Sequence, residues 1–108
     1  MSKYHNKRIV TPDGKFDSKR EYERWCELQL LQRAGQISGL KRQVRYNLVP
    51  IQHAKGRNER AIDYVADFVY RKEGNTVVED VKGKRTPEYV IKRKLMLYVH
   101  GIAIQEVK

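Results

Sequence analysis

Two acids and a lysine stand out against a basic background. Asp67 lies inside the apolar run Val65-Ala66-Asp67-Phe68-Val69, where nothing local accounts for a carboxylate. Further on, Val77-Val78-Glu79-Asp80-Val81-Lys82 ends a second apolar run in two acids and a lysine. Side chains alternate across a strand, so Asp80 and Lys82 share one face and Glu79 and Val81 the other. If the two runs pair through a turn at Gly74-Asn75, Asp67 and Asp80 meet at the open end of the hairpin. Two close carboxylates repel each other, and one takes up a proton unless a cation sits between them. A hard divalent cation with oxygen ligands suits such a place. It polarises a phosphodiester oxygen and acidifies a bound water, and a neighbouring lysine orients the hydroxide or steadies phosphate charge. The blander reading is an Asp80–Lys82 ion pair at a strand end. An unpaired buried carboxylate at Asp67 is costly, which counts against it.

A third acid comes from a helix. Glu21 lies at the edge of the stripe Tyr22, Trp25, Leu28, while Glu23 points away from it. Glu21 either reaches over the sheet towards the other acids or closes a capping box with Ser18. The two roles are compatible.

The elements that must carry these residues can be read along the chain. Pro12-Asp13-Gly14 turns a small hairpin between Ile9-Val10-Thr11 and Lys15-Phe16. A helix spans about 18–34 and stops at Gly35. A first long strand covers 43–49 and closes at Pro50. A polar, basic loop follows over 51–60, then strands over 61–70 and 76–82, joined by the turn 72–75. Pro87 opens a second helix over 87–99, Gly101 ends it, and a last strand covers 102–107. The order helix, three strands, helix, strand predicts an α/β fold with a mixed sheet flanked by helices.

Asp67, a dozen intervening residues, and Asp80-Val81-Lys82 together resemble the signature of the PD-(D/E)XK nuclease superfamily. The element order agrees with that superfamily's restriction-endonuclease-like core. Phe16-Asp17-Ser18-Lys19-Arg20-Glu21, Tyr64-Val65-Ala66-Asp67-Phe68 and Glu79-Asp80-Val81-Lys82-Gly83 look more specifically like a small phage-encoded branch, similar in size to Holliday-junction resolvases. The resemblance runs from about Ile9 to Val107. One departure is Ala66, which stands where the superfamily's proline would be. The resemblance implies a Mg²⁺- or Mn²⁺-dependent DNA endonuclease. In it Asp67, Asp80 and the main-chain carbonyl of Val81 hold the metal. Glu21 contacts the metal directly or through water, and Lys82 positions the water. Glu79 would substitute for Asp80 if the strand were bulged there, and Gln43 is a possible polar neighbour.

Charge points the same way. The 108 residues include 23 Lys and Arg against 13 Asp and Glu, a formal +10 spread along the whole chain. That favours a polyanionic partner, most simply DNA, double-stranded or branched. Lys84, Arg85 and Thr86, at the start of the second helix, are placed to hold a phosphate. Lys55, Arg57 and Arg60 in the polar loop, and the basic arm over 1–8, are placed to grip the backbone. Residues 9–108 read as one nuclease-like domain. The competing reading is a basic nucleic-acid-binding module without catalysis, whose acids form structural ion pairs. A weaker third is a nuclease-fold subunit that needs a partner protein.

Other classes drop out. The only cysteine, Cys26, precludes an internal disulfide framework, and three scattered histidines make no tight metal motif. No apolar run is long enough to span a bilayer, and the N-terminus lacks a secretory core, so a cytoplasmic location is expected. Apolar residues cover most of the second helix, which suits either a central core helix or a homodimer contact.

Overall fold

The computed structural model describes residues 8–108. A short hairpin, β1 (Ile9–Thr11) and β2 (Gly14–Phe16), leads into helix α1 (Lys19–Arg33). Ser18 caps α1 by accepting the Glu21 N–H at 3.1 Å. Strand β3 (Ser38–Val49) follows, then a second small hairpin of β4 (Gln52–Ala54) and β5 (Arg57–Glu59). Strands β6 (Ile62–Lys72) and β7 (Asn75–Val81) form the central hairpin. Its turn is Glu73-Gly74, both at positive φ (52° and 81°), the backbone that matches strand twist. Helix α2 (Pro87–His100) starts on the Thr86 cap with Pro87 in its first turn and ends at Gly101 in the left-handed region. Strand β8 (Gln105–Val107) closes the fold.

The main sheet has the order β3-β6-β7-β8, antiparallel except for the parallel β7–β8 pair. This is the expected mixed α/β sheet, with one helix packed on each face. Tyr64, Ala66 and Val78 pack with Tyr89 and Met96 of α2. Phe68 and Tyr70 pack with Leu28 of α1.

Those two clusters hold an irregularity that matters for the site. Residues 64, 66, 68 and 70 of β6 have one parity, so strict alternation would put them on one face. Instead Tyr64 and Ala66 lie on the α2 side, and Phe68 and Tyr70 on the α1 side. Strand β3 does the same. Leu40 packs on the α1 side, whereas Tyr46 and Leu48 pack on the α2 side. The register Arg42↔Phe68 and Val44↔Ala66 sets Gln43 against Asp67. Gln43 has φ 53°, a left-handed conformation rare in a non-glycine residue. Both strands therefore turn over at the Gln43/Asp67 step, and Asp67 is where β6 changes face.

Several boundaries differ from expectation. The first long strand begins at Ser38, not 43, because Gly39 (φ 65°) sits in a register shift that lets residues 38–42 keep pairing with β6. The polar stretch 51–60 is a hairpin rather than an open loop, since Gly56 (φ 86°) turns it back at Lys55-Gly56. The last strand is shortened to Gln105–Val107, and Ile102 and Ile104 pack against the core instead. The basic arm over 1–8 lies outside the described residues except for Arg8, which ion-pairs with Asp17 at 3.4 Å.

Glu79 is the clearest correction. Strand β7 holds its register with β8 through Glu79, Asp80 and Val81, so no bulge brings Glu79 round to the Asp80 side. It is 1% exposed, on the α1 face. Arg24 of α1 donates to both its oxygens, at 2.9 and 2.7 Å, and the Tyr70 hydroxyl also donates to it. A bidentate, buried pair of this kind leaves a costly lone charge when one partner is removed. Arg24→Met is expected to lower the unfolding free energy by roughly 3 kcal/mol. Glu79→Gln, which keeps hydrogen-bonding capacity, should cost clearly less. Urea unfolding at pH 7 checks this; a loss near 0.5 kcal/mol for Arg24→Met would mean the pair behaves like a surface ion pair.

Candidate active site

Strands β6 and β7 stop pairing at Phe68↔Glu79. Past that point the Asp67 carboxylate takes the place of the backbone ladder. Its Oδ2 accepts the Val81 N–H at 2.7 Å. Beyond Val81, the Lys82 N–H donates to the Val107 carbonyl at 2.8 Å, so β7 leans on β8. The sheet thus opens as a fork with Asp67 in its crotch. A cleft of about 440 Å³ lies there, lined among others by Glu21, Gln43, Asp67, Asp80, Val81 and Lys82.

Each wall of the cleft is fixed by its own partners. Asp80 is 4% exposed, and its Oδ2 accepts the Tyr64 hydroxyl at 2.6 Å. Burial, with the Asp80 charge beside it, holds the Tyr64 hydroxyl far above its ordinary range, so it stays a donor. Asp80 Oδ1 is sealed from solvent and receives no hydrogen bond. The Lys82 ammonium lies 3.2 Å from it as an ion pair without hydrogen-bond alignment. The same ammonium sits 4.3 Å from the centroid of the Tyr89 ring, a cation–π contact. Tyr89 in turn donates to Glu106 Oε2 at 2.9 Å. Arg85, Tyr89 and Arg93 together pull the Glu106 carboxyl down to about 2.

Glu21 is 3% exposed and reaches the sheet. Its Oε1 accepts the Asp17 N–H at 3.2 Å and its Oε2 accepts from Gln43 Nε2 at 3.1 Å. The helix cap and the reach across the sheet both hold, with the carboxylate returning to Asp17 rather than to Ser18. Burial pushes the Glu21 carboxyl up, against the pull of the Asp17 N–H. Asp67 is pushed up to about 7, first by burial, then by the Asp80 charge, with Glu21 adding to it. The Val81 N–H and Lys82 pull the other way.

Of the expected site residues, Glu21, Gln43, Asp67, Asp80, Val81, Lys82 and Thr86 line this one cleft. Lys84 and Arg85 line an adjoining hollow of about 250 Å³ that shares Lys82. Arg85 is ion-paired to Glu106 at 2.6 Å, and Thr86 caps α2 by accepting the Tyr89 N–H. Lys55, Arg57 and Arg60 lie apart from the cleft, exposed on or just after the β4–β5 hairpin, and Arg57 pairs with Glu59 at 2.7 Å. Glu79 is on the opposite face. The sequence reading passed over Tyr64, Tyr89 and Glu106. The Tyr64 and Tyr89 hydroxyls meet carboxylates 16 and 17 residues further along the chain, contacts that only the fold brings about.

Among the described residues, no group of three or more His, Cys, Asp or Glu side chains is gathered to hold a metal. The donor set that fits is smaller. Asp80 Oδ1 is a buried oxygen lacking a hydrogen-bond donor, and the Asp67 carboxyl is driven towards protonation by burial and then by the Asp80 charge. Oxygen donors of this kind suit a hard divalent cation.

A family model described as "Protein of unknown function (DUF1064)" matches residues 1–106. No curated protein and no solved structure gives a significant match.

The Asp67 shift carries a pH dependence whose sign is fixed. An aspartate at 3.8 when unfolded and about 7 when folded binds its proton more tightly in the native state. Its contribution to stability is therefore present below about 4 and declines as pH rises towards 7. Above 7 Asp67 carries its charge in the crowded cleft, and a cation has most to relieve. Mg²⁺ is expected to raise the melting temperature more at pH 8 than at pH 6. In Asp67→Asn that difference should vanish. Circular dichroism melts with Mg²⁺ or EDTA check this, and equal shifts at both pH values would count against a metal at Asp67.

Proposed function

We propose, from the premise that the chain belongs to the DUF1064 family, that it is a metal-dependent endonuclease hydrolysing phosphodiester bonds in DNA. The α/β fold and the family membership are consistent with a nuclease-like protein. The observation that carries the reading is the fork. Asp67 and Asp80 are drawn together at the end of the β6–β7 hairpin with Lys82 between Asp80 and the Tyr89 ring.

Asp67, Asp80 and the Val81 main-chain carbonyl would hold Mg²⁺ or Mn²⁺, with Glu21 close by. When bound, the ion supplies Lewis acidity at the phosphate and lowers the pKa of water. The chain's residues do the rest. Tyr64 fixes the Asp80 carboxylate by donating to Oδ2, which leaves Oδ1 facing Lys82. Lys82 places a positive charge where a water or a phosphate oxygen would sit. Gln43 orients Glu21, and its strained backbone is the means by which both strands turn over beside Asp67. Lys84, Arg85 and Thr86 stand beside Lys82 to take a neighbouring phosphate.

The finer reading is a structure-selective enzyme acting on branched DNA, such as a Holliday junction, in phage recombination, replication or processing in the host cytoplasm. Among the described residues no helix is long and apolar enough to cross a membrane. A homodimer belongs to that reading, and α2 leaves Ile91, Leu97 and Tyr98 more than half exposed. A second reading has its own observation. The Asp80–Lys82 ion pair and the Asp67–Val81 hydrogen bond are also what a non-catalytic, basic nucleic-acid-binding module would show.

Labelled linear duplex, single strand, flap and four-way junction, each with EDTA, Mg²⁺ or Mn²⁺, separate the two. Cleavage should require metal and favour the four-way junction. Asp80→Asn and Lys82→Ala should each lower the rate about a hundredfold or more while DNA binding persists. Salt-sensitive binding without cleavage in any metal would favour the binding module.

A further inference from the structure

A second hollow, of about 230 Å³, opens beside the cleft. It is lined by Arg8, Lys15, Asp17, Arg42 and Gln43, three cations against one carboxylate. Asp17 and Gln43 also line the larger cleft, so the two adjoin.

Arg42 is the fixed point of this hollow. Its guanidinium carbon lies 3.6 Å from the centroid of the Phe16 ring and 5.7 Å from that of Trp25. Its Nη2 donates to the Lys15 carbonyl at 2.7 Å. The Arg42 Nε is sealed from solvent without a hydrogen-bond partner, so one edge of the guanidinium is sunk against the β1–β2 hairpin. Nη1 makes no hydrogen bond among the described residues and passes Gly14, where an added Cβ would stand 3.6 Å away. A stacked and tethered guanidinium loses little freedom when it meets an anion. Lys15 brings a second, exposed charge on the same hairpin. Arg8 brings a third, held across the rim by Asp17. The hollow is also electrically joined to the cleft, since the Arg42 charge pulls against the upward shift of Glu21.

The geometry points to a phosphate subsite: Arg42 and Lys15, with Arg8, bind a backbone phosphodiester of the nucleic acid one or a few nucleotides from the bond presented to Asp67 and Asp80. This rests on the nucleic-acid substrate proposed above. A cationic hollow running out of an acidic cleft suits a polyanion that must lie along both. The cations hold the strand where the carboxylates alone would repel it. Phosphate contacts of this kind set register and orientation rather than sequence.

The test reads binding, so that it stands apart from cleavage. The variants are Lys15→Gln, which touches only an exposed side chain, and Lys15→Gln with Arg42→Met, which keeps an unbranched apolar side chain over Phe16. Circular dichroism melts confirm folding. Binding of a four-way junction and a linear duplex is measured against salt in EDTA, where no cleavage occurs. The double variant should flatten the slope of log K against log salt by about 0.9, the value of one neutralised phosphate. Single methylphosphonate replacements along the strand should then weaken wild-type binding about tenfold at one position near the cleavage point. The same replacement should leave the double variant unchanged. An unaltered slope with a folded double variant overturns the subsite while leaving the nuclease reading intact. If the wild type cuts no DNA yet the methylphosphonate effect vanishes in the double variant, the catalytic reading fails and the subsite stands. Absence of any wild-type binding sinks both.

Discussion

A side chain standing in for a backbone hydrogen bond organises this fold. Asp67 accepts the Val81 N–H across the gap where β6 and β7 part. Without it, β7 would either continue the ladder and close the fork or leave a buried amide unmade, which is costly. The same carboxylate is pressed by burial and then by the Asp80 charge. It is held by one charge-favouring donor and opposed by its surroundings, an arrangement that stores repulsion at one point. The face change of β3 and β6 at the Gln43/Asp67 step belongs to the same construction. It brings Asp67 to the turn-over between the layers, where a regular strand would have sent it fully to one side.

Adjacent acids in β7 meet opposite fates, and the contrast shows what the two sides of the sheet are for. Glu79 faces α1 and is saturated by Arg24 and Tyr70. Asp80 faces α2 and keeps one buried oxygen without a hydrogen bond. A satisfied charge beneath the sheet specifies how α1 docks. An undersatisfied charge above it leaves coordination capacity. The wedge below also bears on the site, because α1 carries Glu21 three residues before Arg24. Locking Arg24 onto β7 fixes the rotation of α1 and so the approach of Glu21 to Gln43.

Much of this was legible in the residues. Period-two alternation in 76–82 separated Glu79 from Asp80. The hairpin does bring the Asp67 and Asp80 ends together, but its turn centres on Glu73-Gly74, with Asn75 already paired to Lys72, rather than on Gly74-Asn75. The Ser18/Glu21 spacing marked the helix start, and the Pro87 and Gly101 signals bounded α2. What was hidden depended on partners distant in sequence. Gln43 adopts a left-handed backbone that no local rule assigns to glutamine, and that conformation decides where two strands turn over. Gly39 kept β3 pairing back to Ser38, although Gly-containing polar stretches usually mark an end. The charges of 51–60 read as a loop because their hairpin buries nothing, so hydrophobic periodicity had no purchase on it. Arg42 lies just outside the strand expected over 43–49, and only the folded chain sets its guanidinium against the Phe16 ring.

Lys82 shows how far the site depends on residues outside it. A lysine has four rotatable carbons and a well-hydrated head, so a strand position alone does not place its charge. Here the ammonium is confined between Asp80 Oδ1 and the Tyr89 ring. That ring is itself fixed by the Glu106 carboxylate, which Arg85 and Arg93 hold firmly ionised. Glu106 pairs with Asp80 across the parallel β7–β8 register. Strand β8 therefore does more than complete the sheet. It supplies the anion that orients the aromatic wall behind the lysine, and it ties the start of α2 to the same point. The short final strand, the first turn of α2 and the end of β7 thus converge on one ammonium group. Its position is set by packing and charge contributed from three elements rather than by its own side chain.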